Sequence, residues 1–293
     1  MTVIPARAVP PRTDLSADAL RAAIVDDFRA SAVRRRQLPG ERLVDTPEVL
    51  AYLSDVRSPD VNEVVRARFG GPDEASVEAA IGATVQAFGD RAFFWWVGPD
   101  DEPADLSARL ATRGVVFLDD IPGMAMDLAN LADPAQAPPP AELEIQPVLD
   151  THALDGFLGV IGHGFPEDWT DQTATELVAA GTAAVAVETG FREPNGVPTR
   201  WLGSVDGRPV ATARLHTAAG VAGVYTVVTV VDARRRGYGE AMTRHALLAA
   251  RDAGLRIATL QSSPAGRGVY ERIGFREECR FRLHEHRPTP EGS

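Results

Sequence analysis

The apolar positions of this chain change period repeatedly, and the changes mark out two runs of mixed elements. From residue 142 onward, "LEIQPVL" predicts a strand. "THALDGFLGVIGHGF" and "DQTATELVAAG" predict helices, the second with apolar side chains at helical spacing. "TRWLGSV" and "RPVATARLH" predict strands around the turn "DGR", a good hairpin signal. "VAGVYTVVTVV" is a β-branched run of the kind that fills a central strand. "GEAMTRHALLAARDAG" predicts a helix closed by Gly254, "LRIATLQSS" a buried strand, "GRGVYERIG" a short helix and "EECRFRLHEH" a last strand. The order β-α-α-β-β-β-α-β-α-β predicts an α/β fold on a mixed sheet.

The first part of the chain predicts helices at "SADALRAAIVDDFRASAVRRR", "TPEVLAYLSD", "EASVEAAIGATVQAF" and "PADLSARLATRG", with strands at "NEVVRARF", "AFFWWVG" and "GMAMDL". A strand, a helix and a strand close both parts, so a weak internal repeat of one fold is expected. Between the parts, "LADPAQAPPPAELE" loses all periodicity, and its prolines favour an extended connection. The expected organisation is a domain over 1–130, a linker over 131–141 and a domain over 142–293.

Composition narrows the setting. The net charge of −11 argues against nucleic acid or an acidic membrane as a partner. Every Lys/Arg position is arginine. Cys279 is the sole cysteine, so no internal disulfide forms and a reducing compartment is expected. The opening residues carry no apolar core of signal-peptide length, and no run approaches the ~20 apolar residues of a membrane helix. A cytoplasmic protein, monomer or homodimer, is the expectation.

The candidate chemistry gathers at "DARRRGYGE", where a strand feeds an arginine- and glycine-bearing turn and then a helix. First-turn N–H groups lack intrahelical partners and the helix dipole is positive there, so such a corner holds phosphate. Gly237 and Gly239 remove Cβ atoms that would keep a diphosphate off the backbone. Arg234, Arg235 and Arg236 offer charge-assisted contacts. Two common phosphate motifs fit badly. The P-loop lysine and hydroxyl are missing, and Arg235 stands where a dinucleotide fingerprint needs its first glycine.

Arg234-x-x-Gly237-x-Gly239 after "YTVVTV", followed by Tyr270-x-x-x-Gly274-Phe275 on the next helix, resembles the GNAT family of acyl-CoA-dependent N-acyltransferases. The element order over most of 142–285 is similar too, and the first part resembles the degenerate half of tandem-GNAT proteins. The resemblance implies two GNAT-like lobes, the second catalytic, with acetyl-CoA as co-substrate and no metal. It implies a V between the strands at 221–230 and 256–261. Pantetheine would bond to backbone over Val228, Thr229 and Val230, and the diphosphate to residues 234–240, including Tyr238 and Glu240. Ser263 stands where the family often has asparagine, and Val231 where it often has proline; Ser263 keeps the ability to cap the following helix.

Transfer of an acetyl group to an amine needs a neutral amine, a stabilised oxyanion and a proton for the departing thiolate. Tyr270 suits the last role, since a phenol can donate to a nascent thiolate. For the base, His216 is the candidate, with Glu167, Asp168 and Glu188 as alternatives. The acceptor expected is a small-molecule primary amine. A CoA-binding regulatory module without turnover, and an interaction scaffold that has lost CoA binding, are the rival classes.

Overall fold

The computed structural model describes residues 9–33, 40–56, 58–71, 73–164 and 191–288. By proximity the chain divides into two compact units, Met1–Ser31 with Gly123–Glu278, and Ala32–Pro122 with Cys279–Ser293. The division differs from the one read from the proline-rich stretch. Residues at each end of the chain fold with the unit that the sequence assigned them away from. Helix α1 (Ala17–Val33) explains the first case. Its Leu20 and Ala23 pack with Ala219, Val221 and Ile257 in a small apolar cluster of the first unit.

In the first unit, β6 (Glu144–Pro147), β7 (Arg200–Val205), β8 (Arg208–His216) and β9 (Ala222–Thr229) run antiparallel to their neighbours. β10 (Ile257–Gln261) joins β9 in parallel, and the Gly123–Asp127 part of β5 (Val116–Asp127) lies antiparallel against β10. Helix α4 (Thr151–Gly164) covers one face of this sheet. A Cβ on its Gly156 would meet Leu202, and one on its Gly164 would meet Val228. Helix α5 (Tyr238–Asp252) covers the other face, with His245 edge-on to Trp201 and Met242 against Gly203. Tyr238, Ala241, Met242, Ala246, Leu247 and Ala250 are its buried stripe, the helical period expected for a one-sided helix. Helix α6 (Arg267–Ile273) follows β10. The helix expected over "DQTATELVAAG" lies outside the described residues.

In the second unit, β1 (Arg42–Asp45), β2 (Val49–Leu53), β3 (Glu63–Ala67), β4 (Phe93–Val97) and the C-terminal part of β11 (Arg276–His286) form the sheet in that order. Helices α2 (Glu74–Gln86) and α3 (Leu106–Ala111) contribute Ile81, Leu106 and Leu110 to a core with Phe69, Phe88, Phe93 and Trp95. The helix expected over "TPEVLAYLSD" is instead a turn and the strand β2. Thr46 closes the turn, its N–H bonding to the Val49 carbonyl and its hydroxyl accepting from the Val49 N–H. All five residues of β2 are buried between β1 and β3, so sheet pairing overrides a sequence with good helix formers.

Each half of the sequence thus lends its last strand to the other unit: Gly123–Asp127 pairs with β10, and Arg282–His286 with β4. A fragment of residues 142–293 lacks both α1 and β5 and leaves the long side of β10 unpaired. Such an edge is a template for association. The fragment is expected to elute as aggregate in size-exclusion chromatography where the full chain elutes as a defined species; a monomeric, folded fragment would contradict the exchanged strands.

Candidate active site

The corner singled out by the arginines and glycines lies in the first unit, between β9 and α5. A single helical turn, Val231–Ala233, leads to Arg234 and then to Arg235, whose backbone is left-handed at φ 63°. Gly237 is left-handed too, at φ 82°, and is the N-cap of α5. The chain needs glycine there because a side chain in that backbone region costs roughly 1–2 kcal/mol. Gly239 differs. A Cβ on it would meet Thr229 Oγ1 at 3.6 Å and Val227 Cγ1 at 3.8 Å, ordinary contacts, so the protein's own packing does not demand glycine. What Gly239 leaves is room beside the first-turn N–H groups of α5.

The three arginines divide their work. Arg234, itself exposed, is engaged by main chain: its Nε donates to the Thr229 carbonyl at 3.1 Å and its Nη2 to the Gly164 carbonyl at 2.6 Å, tying the end of β9 to the end of α4. Arg235 and Arg236 are exposed at the helix mouth. Tyr238 is buried, and its hydroxyl donates to Glu142 Oε1 at 2.9 Å. Glu240 accepts from Arg244 at 3.1 Å and from Arg272 at 3.4 Å.

From the loop the two parallel strands run apart. β9 and β10 are in register at Ala222 with Ala258 and at Gly223 with Thr259. Past these pairs β9 turns toward β8. Thr226 takes φ 51°, its carbonyl accepts from the Thr212 hydroxyl at 3.0 Å, and the β8–β9 register shifts between Thr212 and Arg214. Val228 and Thr229 follow on this bent stretch, paired with Thr212 and Ala211. Val230 has both backbone groups supplied, its N–H by the Val210 carbonyl and its carbonyl by the Ala233 N–H, each at 3.0 Å.

Tyr270 stands on α6, the helix that follows β10. Its ring lies over Gly266, where a Cβ would come within 2.8 Å of Cε2, and edge-on to Phe275 at 6.0 Å. Burial alone pushes its phenol up to about 12, with no charged group contributing. Ser263 serves the approach to α6: its hydroxyl accepts from the Gly266 N–H at 3.2 Å, and its carbonyl takes the Arg267 N–H at 3.1 Å.

His216 ends β8 opposite Gly223, only 1 % exposed. Its Nδ1 lies 3.3 Å from Asp27 Oδ1, a carboxylate of α1 that is itself 0 % exposed. Tyr225 and Thr259 donate to the other oxygen of Asp27 at 2.7 and 3.0 Å. Asp27 was not among the residues that the sequence brought forward. Its signal is an aspartate in register with Ala23, Ile24, Phe28 and Ser31, the buried stripe of α1. Glu167, Asp168 and Glu188 lie outside the described residues.

A mixed sheet whose central parallel pair parts, a helix mouth with glycines and arginines after the first strand of that pair, and a tyrosine on the helix after the second define the class as GNAT-like. Residues 162–275 match the model of the acetyltransferase (GNAT) family. Solved structures similar in fold include a GCN5-related N-acetyltransferase from Kribbella flavida, 21% identical, TM-score 0.65, with 96% of this chain and 98% of that one covered. A tandem GNAT protein from the clavulanic acid biosynthesis pathway aligns at 11% identity and TM-score 0.56 over 97% and 99% of the two chains. A GCN5-related N-acetyltransferase from Sphaerobacter thermophilus aligns at 17% and 0.53 over 97% and 95%. No curated protein sequence matches the chain. Among the described residues no helix is long and apolar enough to cross a membrane.

The two glycines of the loop are expected to separate in mutagenesis. Gly237→Ala should lower stability by roughly 1–2 kcal/mol through backbone strain. Gly239→Ala should leave stability unchanged or raise it by about 0.5–1 kcal/mol, because alanine is the better helix residue. Yet it should weaken acetyl-CoA at least about tenfold, a loss of ~1.4 kcal/mol. Urea denaturation and isothermal titration with acetyl-CoA read the two effects.

Proposed function

We propose that the protein transfers an acetyl group from acetyl-CoA to a primary amine of a small molecule, with Tyr270 as general acid. The observation that carries the reading is the placement of Tyr270: a half-buried phenol on the helix after β10, held protonated by burial and given no charged partner. The diphosphate would lie on the mouth of α5, over Gly237 and Gly239, with Arg235 and Arg236 beside it. Arg234 would shape the loop through its two carbonyls. Pantetheine would follow the bent end of β9 over Val228 and Thr229. Val230 serves that path through its position more than through free backbone groups.

Acetyl-CoA supplies an activated thioester; the chain supplies positions and protons. The acceptor arrives as an ammonium, R–NH3+. One proton must leave before nitrogen can attack, and a second leaves as the amide forms. As the C–S bond breaks, Tyr270 gives its Oη proton to sulfur, and the second amine proton restores the phenol through water. The net reaction releases one amide, one thiol and one proton. His216 belongs to the base side of this reaction through the buried group it forms with Asp27. The first part of the chain is read as a GNAT-like lobe without the loop or the tyrosine motif.

Tyr270→Phe is expected to lower kcat by ~10²–10⁴-fold, the usual worth of a positioned acid. The dissociation constant for acetyl-CoA should stay within about threefold, since the lost interaction is made only during transfer. Thiol release with a panel of amines, and calorimetric titration, provide the two numbers. Acetyl-CoA binding with no thiol release from the wild type across the panel would favour a CoA-sensing module instead.

The raised phenol also fixes a pH dependence. A group that must be protonated to act, and whose folded value is raised to about 12, stays competent as pH rises. The acid therefore introduces no descending limb in kcat between about pH 7 and pH 10. A fall in kcat with a midpoint near pH 8 or 9, absent from Tyr270→Phe, would count against the assignment.

A further inference from the structure

Asp27 is a carboxylate in the core with no arginine paired to it among the described residues. Burying an ionised carboxyl costs several kcal/mol unless donors replace its water. Here the donors are a phenol, a hydroxyl and an imidazole: Tyr225 Oη at 2.7 Å and Thr259 Oγ1 at 3.0 Å on Oδ2, and His216 Nδ1 at 3.3 Å from Oδ1. The sheet is shaped to admit it. Gly223 lies beneath the carboxylate, and a Cβ on it would come within 2.0 Å of Oδ2. A proton on His216 Nδ1 directed at Asp27 leaves Nε2 as the bare nitrogen, and Nε2 is buried with no hydrogen-bond partner among the described residues.

The position of this group matters as much as its composition. Gly223 and Thr259 form the last pair at which β9 and β10 are in register. Tyr225 is the next residue of β9 on the same face, so its phenol stands where the two strands begin to part, with its proton turned toward Asp27. Tyr225 is the partly exposed member of the group, while Asp27, His216 and Thr259 are buried.

We propose that Asp27 takes the proton released by the acceptor amine, reached through Tyr225, while His216 and Thr259 position the carboxylate. The proposal rests on the reading of the site as an amine acetyltransferase. The ammonium gives a proton to Tyr225 Oη as the phenol's own proton passes to Asp27 Oδ2, and the neutral amine then forms the C–N bond. When the product leaves, Asp27 returns the proton to solvent by the same path, which accounts for the one proton that the reaction releases. Tyr225 is then the catalytic residue of the pair, and Asp27 acts through it, holding the proton until the product leaves. A network that merely bolts α1 to the sheet would have the same hydrogen bonds but no preference among acceptors.

That preference is the test. Full-length wild type, Asp27→Asn and Tyr225→Phe are assayed at pH 7 by thiol release from acetyl-CoA. The acceptors are protonated alkylamines (spermidine, glucosamine, phenethylamine) and hydroxylamine, which is already largely neutral. With the best alkylamine, kcat/KM should fall about 10²-fold or more in both variants. With hydroxylamine it should fall by less than about threefold, because no proton has to be removed first. Equal losses with both acceptor classes would overturn the relay and leave the transferase reading intact. A wild type that binds acetyl-CoA and acetylates nothing would overturn both. Tyr225→Phe removes one oxygen and carries the comparison by itself should Asp27→Asn fail to fold. Independently of any acceptor, ¹⁵N spectra of labelled histidine should show His216 with its proton on Nδ1, and a proton on Nε2 would also overturn the arrangement.

Discussion

The parting of β9 from β10 is the constraint on which the rest of this molecule turns. Backbone N–H and C=O groups inside a protein must find partners, and a central parallel pair normally supplies them along its whole length. Here the register between the two strands holds at Ala222–Ala258 and Gly223–Thr259. β9 keeps its other neighbour instead, at the expense of a left-handed Thr226 and a shift in register against β8. The result is a wedge in the middle of a sheet, walled by strand on both sides and open where a helix begins.

The elements around the wedge look after what it exposes. Arg234 spans from the Thr229 carbonyl to the Gly164 carbonyl and pins the strand end. Arg235 and Gly237, both in left-handed backbone, bend the chain so that α5 points its unpaired N–H groups at the mouth. Ser263 and Gly266 do the corresponding work on the other side, and Gly266 makes room for the Tyr270 ring. At the closed end, Asp27 fills the space that Gly223 leaves empty. The loop arginines, the phenols and the carboxylate thus lie along one seam of the sheet, the first exposed to water and the last sealed from it.

Much of this was legible in the residues. The hairpin at Asp206–Gly207, the central strand, the helix from Tyr238 and the short helix carrying Tyr270 form where their periods place them. These are local signals: turn residues with the right backbone freedom and apolar stripes of fixed period. "TPEVLAYLSD" misled because its residues favour a helix in isolation, and only the neighbours β1 and β3 make it a strand. Asp27 was hidden for a related reason. An aspartate on a helix is ordinary until three donors from β8, β9 and β10, each nearly two hundred or more residues further on, are seen to converge on it.

The sequence by itself determined the element types over the described residues of the second half, the glycine- and arginine-bearing turn at Arg234–Gly239 and the helix that carries Tyr270, because each depends on residues close together in the chain. The tertiary structure decided which segments belong together. It placed α1 and the strand of Gly123–Asp127 with the second half, and the closing strand with the first. It also set a buried carboxylate under a glycine. Pairing between distant strands is settled by the edges and apolar faces left uncovered once the local elements exist, and no short stretch of sequence records them.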